Sequence, residues 1–326
     1  LLSNTGAYQG GIYKVDAVRR FMRWLDATPH PTVAIEFTPE QVSAARFTRT
    51  GSLDGFAVEA LPPGVLVPSA IETNIVNPIA VKAAVAAVSK ALKLKDEDAG
   101  LIVPDPVIRV FVQHFDDFPR STEEAMPMLR WKLKKSVPFE VDETLLSYMR
   151  QQPRGDGVDV VTAIARLRII KEYEALLEPQ GVRAGVVLSS TLTAISLLED
   201  SRPTLLARLS GTSLTTAIVR EGVLAGYRCT ELPTTAAEVT PHMLLEEVYP
   251  LAAYYQDTWQ EGIQAVRVAG LRRRLPEFVR PLQDEFKCDV GSLLNSAVSE
   301  GHLRSDARPL ADRDLEGLVG WMMHRS

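Results

Sequence analysis

Cysteine is scarce: Cys229 and Cys288 are the only two in 326 residues. Neither has a second Cys or a His at zinc-ligand spacing. That excludes a disulfide scaffold and a cysteine-rich metal site, and it agrees with a reducing compartment. The five histidines, His30, His114, His242, His302 and His324, are scattered and form no metal-spaced cluster. Long apolar runs are missing too. Each is broken by a charge or a proline well short of the roughly 20 residues that span a bilayer. No charge of one sign dominates, with 36 Lys and Arg against 41 Asp and Glu and a net charge of -5. A general nucleic-acid binder would be strongly basic, so that class is set aside. Gly211-Thr212-Ser213 lacks the Gly-x4-Gly-Lys spacing of a phosphate-cradling Walker loop. The acidic pairs Asp116-Asp117, Asp142-Glu143 and Glu246-Glu247 read as solvated surface, and no nucleophile or general base stands out.

What is present is an ordinary globular composition, 46% hydrophobic and 24% charged. It holds enough apolar surface for about two domains at roughly 150 residues each. Leu1 to Gly11 is small, polar and Gly-rich, and is expected to be a leader or linker. Val15, Val18, Phe21, Met22 and Leu25 follow helical spacing, with Arg19, Arg20 and Arg23 largely off the stripe. That helix reads either as packing or as a basic amphipathic contact with an anionic membrane surface. Strands are expected at 32–37, 42–48 and 56–61, then a helix opened by Pro78 and a strand at 100–103. Strands at 204–209, 214–219 and 223–230, a helix over 241–260 and a strand at 265–269 repeat that order. Two copies of a three-strand, helix, strand unit imply an internal duplication. Between them the spacing predicts strand 107–115, a helix from Ser121 to about Lys135, strands 145–151 and 158–166, and a helix over 169–177.

The stretch Leu129 to Tyr148 (LRWKLKKSVPFEVDETLLSY) resembles the signature of type IV pilus assembly proteins of the PilM type, relatives of FtsA in the actin and sugar-kinase superfamily. Pro62 to Leu66 with Asn77-Pro78, and Asp159 to Val182, are similar to the same family. The resemblance implies an α/β chain: an actin-like duplicated ribonuclease H-like fold with a small inserted αβ module, 1C-like. Its expected divisions are 1–31 for leader and amphipathic helix, 32–104 with 183–203 for the first actin-like domain, 105–182 for the insert, and 204–326 for a second domain lacking its small subdomain. The residues of the signature also have a plain physical reading. Leu129 and Leu133 make a core stripe, Trp131 is offset, and Arg130, Lys132, Lys134 and Lys135 suit the negative end of the helix dipole.

In this superfamily ATP with magnesium binds between the halves, on glycine-containing hairpins that each carry an acidic residue. Glu36 stands at the first acidic position, but Phe37, Thr38 and Pro39 replace the glycine turn. Proline has no N–H to give a phosphate. In the second hairpin Gly211 and Thr212 remain, and Leu209 occupies the acidic position. The later adenosine turn keeps only Gly270. Glu36, Gly211, Thr212 and Gly270 are therefore expected to be vestiges, with magnesium-ATP bound weakly or not at all. What the resemblance then implies is a non-catalytic cytoplasmic scaffold, peripheral to the inner membrane, which binds the N-terminal peptide of a PilN-type partner and other pilus assembly components, and no nucleic acid. The candidate docking edge is Val107 to Phe115. The candidate contacts are Val110, Val112, Arg130, Trp131, Lys134, Pro138 and Phe139. The other readings are an active ATPase or kinase of the superfamily, and the cytoplasmic domain of a type II secretion protein.

Overall fold

A computed structural model describes residues 30–198, 202–301 and 303–323. The leader, the helix expected over Val15 to Leu25 and its membrane contact lie outside the described residues. Val33–Phe37 (β1) is apolar at four of five positions and entirely buried, as a strand covered on both faces must be. β2 (Gln41–Phe47) and β3 (Leu53–Ala60) pair antiparallel beside it. Asn77 then caps α1 (Pro78–Ala91) by accepting from Ala80 N–H, and Pro78 opens it. Val81, Ala84, Val85 and Val88 bury one face of that helix. β4 (Glu97–Val103) returns parallel to β1.

The insert follows as β5 (Arg109–Phe115), α2 (Thr122–Leu133), β6 (Thr144–Arg154), β7 (Gly157–Arg166) and α3 (Leu167–Leu177). Ser121 caps α2, and Ala125, Leu129 and Leu133, four apart, bury its inner face over a sheet ordered β5-β7-β6. β8 (Val182–Ser189) and α4 (Ser190–Ala194) complete the first sheet, β3-β2-β1-β4-β8. The second half contains β9 (Thr204–Ser210), β10 (Ser213–Arg220), β11 (Val223–Glu231), α5 (Pro241–Trp259), β12 (Ala265–Ala269), α6 (Leu275–Phe286), β13 (Asp289–Ser292) and α7 (Leu293–Ser299). Its sheet runs β11-β10-β9-β12-β13, the same order as the first, with antiparallel and parallel pairings at the same places. The chain is thus an actin-like duplicated α/β fold carrying an inserted αβ module. The last helix, α8 (Glu316–Met323), crosses back and packs on α4 and β1 of the first half. Its Trp321 is fully buried there.

Candidate functional site

Between the halves the chain has buried four charges. Arg208 of β9 is 5% exposed and reaches out of the second sheet. Its Nη2 lies 3.4 Å from Glu36 Oε1 on β1, and its Nη1 lies 3.4 Å from Asp105 Oδ2 in the turn after β4. Asp105 also accepts from Thr191 N–H at 2.8 Å and from the hydroxyls of Thr191 at 2.6 Å, Thr215 at 3.0 Å and Tyr227 at 3.4 Å. Thr191 belongs to the first half, while Thr215 and Tyr227 belong to the second. Glu36 accepts from Ser190 Oγ at 2.8 Å and from the backbone N–H of Leu318 in α8. A Cβ on Gly317 would stand 2.3 Å from the Glu36 carboxylate, so only glycine lets that carboxylate reach the helix. Glu316, at the start of α8, is the third carboxylate.

Burial sets the protonation of this cluster. It lifts the Glu36 carboxyl above its ordinary range despite the pull of Arg208. It pushes Glu316 up to about 7, again against Arg208. Burial alone would lower Arg208, but Asp105, Glu36 and Glu316 outweigh it and hold the guanidinium charged.

Above the cluster the two hairpins touch each other. The Glu40 carboxylate accepts from Gly211 N–H at 2.9 Å, and Pro39 packs so closely that a Cβ on Gly211 would meet its Cγ at 2.8 Å. A hairpin N–H of the kind that grips phosphate is thereby given to the protein's own carboxylate. Thr212 stands at the exposed tip, its carbonyl accepting from Leu232 N–H. Gly270 lies with its backbone against the Leu209 carbonyl, and Leu209 is buried in the core of the second half. The remaining cavity, about 740 Å³, is lined by Glu40, Arg208, Gly211, Gly270, Arg272 and Glu316 among others. Arg272 pairs with Asp314, and Arg274 donates to the carbonyls of Ala236, Ala237 and Val239.

These residues do not fit magnesium-ATP. A metal needs carboxylates free to face it through water, and here a guanidinium stands between them. Among the described residues no group of three His, Cys, Asp or Glu is placed to hold a metal. Arg208, Glu40, Asp105 and Glu316 were not singled out from the sequence. The one local signal was an arginine inside the otherwise apolar strand Thr204–Ser210.

The insert supplies a second surface. The Val107 to Phe115 edge needs correcting: β5 is the outer strand of its sheet, but β11 of the second half lies alongside it. Val110 is buried in the main core with Met149 and Val161, and Val112 packs against the same core. The insert is also bolted to β11 by Gln151, whose amide donates to Leu224 C=O at 2.9 Å and accepts from Leu224 N–H at 2.8 Å. Arg130 is half-buried and donates to Val141 C=O at 2.6 Å, tying α2 to the turn before β6. Phe139 is half-buried against Leu133, Val137, Val141 and Ile164. Pro138, Lys134 and Trp131 are exposed.

β6 forms the other edge of the insert sheet, and among the described residues no strand pairs with its outer side. At its start lies a seam with the first half. Arg166 and Arg168 both donate to Ile71 C=O, and Glu172 accepts from Asn74 N–H at 2.7 Å. Buried Asn74 bonds Ser69, Glu72 and Tyr173 and so fixes the loop. That loop is pinched by a Leu66–Ile75 bridge, and it leaves Val67, Val76 and, at the head of α1, Ile79 exposed. On the insert, Leu145 and Leu167 are the exposed aliphatics. Isolated exposed leucines are ordinary, but five large aliphatics flanking one seam are not.

No protein-family model matches the chain, and no curated protein matches it by sequence. Solved structures do match by shape. The chain is similar to a structure of the PilM-PilN type IV pilus biogenesis complex, with 14% identity over 91% of this chain and 98% of that one and a TM-score of 0.68. A Bacteroides thetaiotaomicron protein of actin-like ATPase fold and unknown function matches at 9% identity, over 90% and 97%, with a TM-score of 0.49. The cytoplasmic domain of EpsL, an inner-membrane component of the Vibrio cholerae type II secretion system, matches at 9%, over 72% and 80%, with a TM-score of 0.44.

Proposed function

We propose that this chain is a non-catalytic scaffold of a type IV pilus machine that binds a short cytoplasmic segment of a PilN-type inner-membrane protein. It would then work in the cytoplasm, peripheral to the inner membrane. The observation that carries the reading is the contrast between the two surfaces. The nucleotide hairpins are closed on each other by Glu40 and Gly211, while the seam between insert and first half stays apolar and open. The likeness in fold to the PilM-PilN complex supports it. No helix of the described residues is long and apolar enough to cross a membrane.

An extended segment would lie along the free edge of β6, take main-chain hydrogen bonds from it, and set alternate aliphatic side chains among Leu145, Leu167, Val76 and Ile79. Burying two or three aliphatics yields on the order of 5 kcal/mol before the cost of ordering the segment, which by itself corresponds to a dissociation constant of about 0.2 mM, so the isolated segment binds weakly and the main-chain bonds must add to it. Titration of a PilN-type N-terminal peptide against the full chain tests this. Leu145→Asp is expected to weaken binding roughly 30-fold or more, because a carboxylate is desolvated in an apolar contact. Phe139→Ala is expected to weaken it less, by loosening the turn beside the seam. No binding by the wild type would sink the scaffold reading.

Calorimetry with magnesium-ATP tests the other half of the proposal. The expected result is no saturable heat at micromolar ATP. A micromolar dissociation constant, or measurable hydrolysis lost on Glu36→Gln, would restore the ATPase alternative.

A further inference from the structure

The outward face of α2 carries a second feature that peptide docking does not use. Leu129 and Leu133 bury the inner face of the helix. At 100° per residue, Trp131 lies about 200° from Leu129, on the opposite side, and is 77% exposed. Lys134 and Lys135 follow it by three and four residues, on the same face, and both are exposed. Lys134 caps the helix in helical conformation, so the face continues into the turn. Some surface cations are spent on partners, such as Arg46 on Glu97 and Arg183 on Asp98. Lys132 is occupied over the Phe115 ring, at 3.8 Å. Lys134 and Lys135 have no ion pair among the described residues. From Arg130 to Glu143 four basic side chains, Arg130, Lys132, Lys134 and Lys135, stand against the three acidic ones Glu140, Asp142 and Glu143.

An exposed indole flanked by unpaired ammonium groups has an apolar body, a polar N–H edge and snorkelling cations. That chemistry fits the headgroup layer of an anionic bilayer. The patch is also continuous with the proposed docking surface. Arg130, beside Trp131, is bonded to Val141 C=O and reaches Thr144 Oγ1, one residue before Leu145. The end of the insert that would receive the tail of a membrane protein thus also carries Trp131. The opposite end of β6 is held to the second half through Gln151.

We infer that Trp131, Lys134 and Lys135 form a contact with anionic lipid headgroups that sets the insert against the membrane. The inference rests on the scaffold reading for its orientation, but the test needs no partner. The full chain is sedimented with vesicles of phosphatidylcholine alone and of phosphatidylcholine with phosphatidylglycerol. Binding is expected only to the anionic vesicles and to fall with added salt. Each lysine near such a surface counts for about fivefold in partition, so reversing both, in Lys134→Glu with Lys135→Glu, should lower binding at least 25-fold. Trp131→Ala should lower it severalfold and abolish quenching of tryptophan fluorescence by brominated lipid at this depth. All three side chains are exposed, so Trp131→Ala should melt like the wild type and the double-glutamate variant only slightly lower, because its carboxylates oppose the helix dipole. To separate this patch from the basic stretch at 19–23, Arg19, Arg20 and Arg23 are replaced by Gln in a parallel chain, which should keep binding. Equal vesicle binding by wild type and the double-glutamate variant overturns the inference. So does a wild type that ignores both vesicles while the double-glutamate variant loses the partner peptide, because the face then belongs to the protein partner.

Discussion

Arg208→Ala is expected to cost roughly 3–5 kcal/mol of stability, since it removes one partner from a buried ion cluster and leaves the others uncompensated. Glu36 and Asp105 each lie 3.4 Å from the guanidinium, and both are almost wholly out of water. The loss should be larger at pH 8 than at pH 5. In acid the stranded carboxyls can take up protons, which removes the charge that burial penalises. Urea denaturation followed by tryptophan fluorescence gives the midpoint and slope. A pronounced fall in the midpoint is the expected outcome. The same cluster joins β1, β4, β9 and α8, so hydrogen exchange in the two hairpins should rise in the variant even where the chain remains folded. A penalty below about 1 kcal/mol would mean that the halves do not depend on this cation. Converting the cluster to neutral groups of similar shape, in Arg208→Met with Glu36→Gln and Asp105→Asn, should recover much of the loss, because no buried charge then stands alone.

Glu316→Gln should act in the opposite direction at neutral and alkaline pH. Glu316 titrates at about 7 in the folded chain, against 4.5 for the free side chain. Between those values the folded protein keeps a proton that the unfolded chain has released. Stability is therefore complete below about pH 4.5, declines as pH rises toward 7, and is level above it. The whole change is about 3 kcal/mol, at 1.36 kcal/mol for each pH unit of displacement. Glu36 is displaced in the same direction and adds to the slope. Glutamine keeps the shape and never ionises, so the variant should match the wild type at pH 4.5 and exceed it by up to about 3 kcal/mol at pH 8. Denaturation midpoints measured from pH 4.5 to pH 8 would reveal this. Parallel curves for the two proteins would place the titrating proton elsewhere.

Both results bear on how the two halves are held together. Arg208 bonds Glu36 and Asp105 of the first half, and Glu40 accepts from Gly211 N–H of the second. Gln151 carries the connection between the halves to the insert.

As far as Ala269 the order of strands and helices was readable from residue spacing, because alternation and three-to-four periodicity are local properties of the chain; α6, β13, α7 and α8 were not read from it. The repeated three-strand, helix, strand order, the Asn77 and Ser121 starts and the outward placement of Trp131 all rest on neighbours a few residues apart. Convergence across the cleft is not local. Glu36, Asp105, Arg208 and Glu316 come from four elements spread along most of the sequence, and nothing near any of them announces the others. Leu209 was read at the acidic position, yet successive residues of a strand face opposite ways. Leu209 fills the second core and Arg208, one step earlier, enters the cleft. The β5 edge looked open in the linear order and is flanked by β11, a strand that arrives more than a hundred residues later. Residue spacing determined the sheet-forming segments as far as Ala269 and missed β13. Only the tertiary structure decided which charges meet in the cleft and which sheet edge is flanked, because both depend on how two separately built halves close upon each other.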